Sequence, residues 1–380
     1  MRVVIDARSA VSEPRTGVGH YTWNLIRLLP RIDPETTYIA WYVDAVRRRG
    51  GRRFAGIPNL IEQRTAFPPR LFERLSTRMK VPRLEWLLRF DVLFAPNFLP
   101  PPIGRRPFVM TVHDLAFRVQ PETASSSTVR WLGRFDETLR RARAILTVSD
   151  TTRRDLLDHY RVPDERVTVV PPAVDHHVFR PFPSNIARAV CARYGIAPPY
   201  LLWLGGIERR KNLPLLVRAF RSLPDSIRPS LVLVGPRVPW SPEGWTELGA
   251  ALQQLPPEVR GKVVVTGYVP EEDKVALLSG AEGFVYPSLY EGFGLPVLEA
   301  MACGTPALTS NVSALPETAG DAALLVDPKD HQSIAEGIER ILTDRRLRRR
   351  LAAAGIARAA RFHWEETARL TAEALQRAGA

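Results

Sequence analysis

Short apolar runs rich in β-branched residues recur along the chain, and most are followed by a polar loop and then a stretch of helical periodicity. In the first half they are Val3 to Ile5, Tyr38 to Val43, Val92 to Ala95, Phe108 to Val112, Ile145 to Val148 and Val167 to Val170. In the second half they are Tyr200 to Leu204, Leu231 to Val234, Val263 to Thr266, Phe284 to Tyr286, Ala307 to Thr309 and Leu324 to Val326. Near-continuous apolar runs bounded by Gly, Pro, Asp or Ser fit strands buried on both faces of a parallel sheet, and their alternation with helices builds βαβ units. Helical periodicity covers Asp330 to Ile341, Asp344 to Ala360 and Trp364 to the end. Prolines at 171, 172, 181, 183, 198 and 199 interrupt regular structure and place a boundary near residue 180. The pattern predicts an α/β chain of two Rossmann-like domains, residues 1–180 and 181–362, whose parallel sheets face each other across a ligand-binding cleft.

Composition agrees with this reading. A chain of 380 residues exceeds one ordinary core and suits two domains of about 150 to 200 residues. No run approaches the roughly 20 apolar residues that cross a bilayer, and the first strand begins at once, without a secretory pattern. Cys191 and Cys303 are far apart in sequence, which argues against a disulfide framework, so the expected compartment is the cytoplasm. The net charge of +13 adds a different element, since it favours an anionic partner such as nucleic acid, an acidic membrane or a phosphorylated substrate. Lysine occurs only at 80, 211, 262, 274 and 329, so the excess is almost all arginine, which biased codon usage explains equally well.

Chemistry concentrates in a few loops. The string Pro287 to Pro306 follows a strand, with Glu291, Gly292, Phe293 and Gly294 ahead of a helix opening at Leu295-Pro296. Glycines there let backbone approach a ligand, and a helix N-terminus favours a phosphate. Glu299 falls about a turn inside that helix, so Glu291 and Glu299 suit two sugar-holding carboxylates, for ribose or transferred hexose, better than an acid/base pair. Leu204 to Asn212 places Arg210 and Lys211 beside the next helix start, which Asn212 can cap, a setting suited to pyrophosphate. Gly17 and Gly19 form a weaker glycine loop, and His113 closes a buried strand. Ser149 reads first as a helix cap and second as a cleft residue, Asp114 as a loop-ordering residue, Asp175 as a hinge-shaping residue, and His176-His177 lacks further ligands for a metal. There is no Asp-x-Asp, Walker A loop, Gly-x-Ser-x-Gly or Cys-x-x-Cys.

The string EGFGLPVLEAMACGTP, with seven residues between Glu291 and Glu299, resembles the retaining glycosyltransferases of family 4, the group 1 glycosyl transferases. The resemblance implies a GT-B architecture: an acceptor-binding first domain, a nucleotide-sugar-binding second domain, and a closing helix, 363–380, that crosses back to the first. It implies catalytic roles for His113, Arg210, Lys211 and Glu291. Donor binding would fall to Gly17, Gly19, Gly206, Arg209, Phe293, Gly294, Leu295 and Glu299. Where some members carry another Arg, this chain has Gly205 or Gly206, which leaves Arg209 and Arg210 as alternatives for the clamp. Transfer would need no metal or other cofactor. ERRKNL and SLYEGFGLP are similar to bacterial mannosyltransferases of surface-polysaccharide assembly, which implies GDP-mannose first and UDP-sugars second, with a polysaccharide, glycolipid or lipid-linked acceptor. The basic amphipathic segment 70–90 fits either an anionic membrane or a core-facing helix. The competing functions are a related epimerase or phosphorylase and a non-enzymatic nucleic-acid binder, although the basic residues are dispersed.

Overall fold

The apolar runs assemble into two separate all-parallel sheets in a computed structural model that describes residues 1–12, 15–44, 53–124 and 132–380. The first sheet contains β1 (Arg2–Asp6), β2 (Thr37–Asp44), β3 (Leu60–Ala66), β4 (Val92–Ala95), β5 (Phe108–Val112), β6 (Ala144–Thr147) and β7 (Val167–Val169), in the order β3-β2-β1-β4-β5-β6-β7. The second contains β8 (Tyr200–Leu204), β9 (Ser230–Val234), β10 (Val263–Gly267), β11 (Gly283–Tyr286), β12 (Ala307–Ser310) and β13 (Ala323–Val326), in the order β10-β9-β8-β11-β12-β13. Each order reverses direction once, between β1 and β4 and between β8 and β11. Loops leaving the carboxyl ends of strands at such a reversal diverge and leave a crevice, where ligands bind in this class of sheet.

Contacts divide the chain into two units, one of Met1–Leu115, Trp131–Pro172 and His363–Ala380, the other of Ala116–Arg130 and Ala173–Phe362. The central strands are buried throughout, as at Val3, Val4 and Ile5 in β1 and Leu201, Leu202 and Trp203 in β8. The helix Trp364–Gly379 belongs to the first unit. It buries Ala368, Ala372 and Leu375 and packs along the helix Gly17–Ile32, with Trp364 5.9 Å from the Tyr21 ring. Thr367 ties it to the first unit by donating to the Pro171 carbonyl at 2.7 Å. Asp330 and Asp344 cap the helices His331–Thr343 and Arg345–Ala359, close to the predicted starts.

Three features depart from the sequence pattern. β3 was not predicted: its sequence, LIEQRTA, carries no apolar run, and the strand lies at the sheet edge, paired to β2 alone and only partly covered. The 70–90 segment is not one helix. A helix spans Pro69–Met79, Lys80 is left-handed (φ 54°), and a separate turn covers Leu84–Trp86. Phe72 is buried against Trp41, whereas Leu71, Met79, Trp86 and Leu87 are exposed, so this segment both joins the core and shows apolar side chains. The side chain of Arg78 lies outside the described residues. Finally, Asn212 does not cap its helix. It is left-handed (φ 61°), and its amide donates to the Pro287 and Pro328 carbonyls at 3.0 and 2.7 Å, joining three loops.

Candidate active site

The loops after β8 and β11 meet because their strands are neighbours at the sheet reversal. The Leu289 N–H donates to the Arg210 carbonyl at 2.8 Å, fixing one loop on the other. Gly235, after β9, completes the floor. It has φ 144°, and a Cβ there would lie 1.8 Å from the Gly205 carbonyl oxygen, a distance no side chain tolerates. A Cβ on Gly206 would meet Val238 at 2.8 Å.

On this frame two cations converge on one carboxylate. Glu291, only 6% exposed, accepts from Lys211 Nζ on Oε1 and from Arg210 Nη1 on Oε2, both at 2.6 Å. Burial pushes the Glu291 carboxyl up, but Arg210 and Lys211 outweigh it and hold the group down at about 2. Lys211 is equally buried and donates to the Tyr286 hydroxyl at 2.5 Å. Burial and the neighbouring Arg210 pull its ammonium below the ordinary lysine range, against the attraction of Glu291. Arg210 is gripped from its other side by Glu208, which accepts from Nε at 2.9 Å and also from the Trp240 indole at 3.2 Å.

The helix Leu295–Ala302 starts beside this cluster. Gly294 provides its left-handed entry (φ 106°) but no capping side chain, and Pro296 sits in the first turn. An N-terminus without a side-chain cap presents donors and partial positive charge to an anion. The loop ahead of it is rigidly tied: the Glu291 N–H donates to Ser313 Oγ at 3.0 Å, and Thr318 Oγ1 donates to the Phe293 carbonyl at 2.5 Å. Glu299, in the second turn, is paired instead with Lys274 (3.3 Å), and burial raises its carboxyl above the usual range against the pull of that lysine. The two glutamates thus keep different partners and different acidities.

Other candidates are placed elsewhere. Arg209 turns away from Glu291, donating to the Glu122 carbonyl at 2.6 Å and pairing with Glu247 at 2.9 Å, so Arg210 is the arginine of the cluster. Phe293 is buried edge-on against Phe362. Leu295 is the first residue of the helix. In the first unit, His113 follows β5 and donates from Nε2 to the Pro96 carbonyl at 2.8 Å, with Tyr21 packed edge-on 5.0 Å away. Burial lowers its basicity, against the Pro96 carbonyl and Asp114. A neutral ring protonated on Nε2 leaves the Nδ1 lone pair as an acceptor. Gly19 is sterically required, since a Cβ would stand 2.7 Å from the Ser9 carbonyl oxygen, whereas a Cβ on Gly17 meets nothing within 4 Å. Ser149 caps its helix by accepting from Thr152 N–H at 2.9 Å, Asp175 Oδ1 accepts from His177 N–H at 2.9 Å, and His176 Nε2 bonds to the Phe362 carbonyl at 3.1 Å.

Glu208, Lys274 and Tyr286 escaped the sequence reading as site residues. Glu208 and Tyr286 stood next to motif residues, whereas Lys274 had only its rarity to mark it, as one of five lysines in an arginine-rich chain.

Comparison with known proteins places this arrangement. Residues 195–358 match the family Glycosyl transferases group 1, and residues 15–178 match Glycosyltransferase Family 4. The O-antigen chain mannosyltransferase B of Escherichia coli is 33% identical over 385 residues, covering 95% of this chain and 96% of that protein. The serotype-specific mannosyltransferase WbdA of Escherichia coli is 32% identical over 240 residues, which is 62% of this chain and 29% of that longer protein. Among solved structures, sucrose-phosphate synthase from Thermosynechococcus elongatus superposes with TM-score 0.78 at 22% identity, over 99% of this chain and 98% of that one. HepE from Anabaena, solved with UDP and glucose, gives 0.75 at 18%, over 99% of each chain. Those two structural likenesses establish the GT-B fold. Together with the sequence matches at both ends of the chain and the near full-length relative, they make this protein a glycosyltransferase of group 1, family 4.

Proposed function

We propose that the protein transfers a hexose, mannose in the first instance, from a nucleotide sugar to a polysaccharide, glycolipid or lipid-linked acceptor, with retention and without a metal. The observation that carries this reading is the convergence of Arg210 and Lys211 beside the uncapped helix start at Leu295. Two fixed cations and a helix N-terminus supply the charge stabilisation that a departing nucleoside diphosphate needs, the task a metal performs elsewhere. Glu291 keeps the cations in register, and Glu299 accepts from a vicinal diol of the donor. Backbone at Gly206, Gly294 and Leu295 is assigned to the diphosphate. His113 of the first unit is assigned to the transferred sugar, and Gly17 and Gly19 to the donor phosphate and acceptor.

The C1–O bond to the diphosphate breaks while the acceptor oxygen bonds to C1 from the same face, and the acceptor proton passes to a donor phosphate oxygen. This needs no protein nucleophile. Mannose is favoured over glucose by the near full-length similarity to a mannosyltransferase, and GDP over UDP by the resemblance of ERRKNL and SLYEGFGLP to bacterial mannosyltransferases. The test is nucleoside diphosphate release and glycan labelling with GDP-mannose and UDP-glucose, with the product anomer read by NMR. An inverted anomer would overturn retention. Nucleotide-sugar consumption that needs no acceptor would favour an epimerase.

A peripheral membrane location is part of the proposal. Trp86 and Met79, each 64% exposed, stand among Arg70, Arg74, Arg83 and Arg89, and Arg83 lies 5.8 Å from the Trp86 ring. Exposed aromatic and apolar tips among cations suit an anionic bilayer surface, where a lipid-linked acceptor would reside. Among the described residues no helix is long and apolar enough to cross a membrane.

A further inference from the structure

A carboxylate that receives both hydroxyls of a vicinal diol must present acceptor lone pairs on both oxygens and must not carry a proton. Glu299 is poorly placed to meet that demand alone, because its side chain is only 17% exposed and burial disfavours its ionised form. The helix Glu271–Gly280 brings Lys274 to it, Nζ to Oε1 at 3.3 Å. Lys274 is in turn held from two other directions. Its ammonium lies 4.5 Å from the Phe179 ring centroid and 3.9 Å from Glu271 Oε2. Phe179 is itself set by the turn at Asp175, whose carbonyl accepts from both Val178 and Phe179 N–H. An ammonium with a fixed aromatic face and two carboxylates has little freedom, so it dictates where Oε1 of Glu299 points. Among the described residues Oε2 accepts no hydrogen bond.

We propose that Lys274 is a positioning residue for donor binding, which orients Glu299 so that Oε2 and the remaining lone pair of Oε1 meet a vicinal diol of the nucleotide sugar. The inference rests on the assignment of Glu299 to a donor diol made above. Ribose and the transferred hexose carry the same diol chemistry, and the experiment separates them.

Calorimetric binding to the full chain would compare GDP with its dideoxyribose analogue, and GDP with GDP-mannose, for the native protein, Lys274→Met, Lys274→Arg and Glu299→Gln; UDP and its derivatives replace these if UDP is the nucleotide bound. Loss of one oriented, charge-assisted acceptor predicts about tenfold weaker GDP binding in Lys274→Met, unchanged binding of the dideoxy analogue, and recovery in Lys274→Arg. A loss confined to GDP-mannose supports the inference and assigns the diol to the hexose. An equal loss for GDP and its dideoxy analogue, or no loss for any probe, would overturn it. If Glu299→Gln shows the diol-dependent loss and Lys274→Met does not, the inference alone fails. If Glu299→Gln shows none with either nucleotide or nucleotide sugar, the diol assignment fails and the inference falls with it.

Discussion

Replacing Glu291 by Gln tests the charge cluster through folding, independently of any substrate. The native carboxyl is held at about 2 against an ordinary 4.5. A group depressed on folding adds stability that is fully present above its unfolded value and disappears as pH falls through its folded value. The interval from 4.5 to about 2 corresponds to about 3 kcal/mol. Geometry gives a similar figure: Gln leaves the buried Lys211 without its counter-charge and Arg210 with Glu208 alone, and breaking a buried pair costs about 3–5 kcal/mol. Chemical denaturation of native and Glu291→Gln protein between pH 7 and pH 2 would measure both. Other carboxylates titrate in both proteins, so the difference between the two curves isolates this one. That difference should be constant near neutrality and shrink between about pH 4.5 and pH 2. A difference that stays flat over that range would refute the depressed, doubly paired carboxylate.

Lys211→Met should lower turnover by about a hundredfold or more, measured as nucleoside diphosphate release, with the fold intact by circular dichroism; near-native turnover would remove the lysine from diphosphate stabilisation. Glu208→Gln loosens Arg210 without touching the diphosphate site directly, so nucleotide affinity should fall by about three- to tenfold, read by calorimetry. Gly19→Ala should destabilise by about 1–3 kcal/mol because its Cβ meets the Ser9 carbonyl, whereas Gly17→Ala should be neutral or stabilising by up to about 1 kcal/mol in thermal unfolding. In flotation assays the protein should rise with phosphatidylglycerol vesicles and not with phosphatidylcholine vesicles, and Trp86→Ser should weaken that association; binding indifferent to lipid charge would count against the basic face.

Among the described residues local pattern was enough to place twelve of thirteen strands, because each carries an apolar run that marks it without reference to a partner. It also located the loop before Leu295, where glycine and proline sit at a helix start for reasons of backbone geometry alone. β3 was hidden because LIEQRTA contains no apolar run, whereas the other edge strands, β7, β10 and β13, keep theirs. What sequence could not supply was any relation between residues distant along the chain. Arg209 and Arg210 are chemically identical neighbours, and only the turn at Arg209–Lys211 sends one to Glu247 and the other to Glu291. Asn212 looked like a cap, yet a left-handed backbone gave its amide to two remote carbonyls. The spacing of Glu291 and Glu299 is written in the sequence. Their opposite acidities arise only where β8, β11 and the helix Glu271–Gly280 bring Lys211, Arg210 and Lys274 to them, because electrostatic environment is a property of position in space.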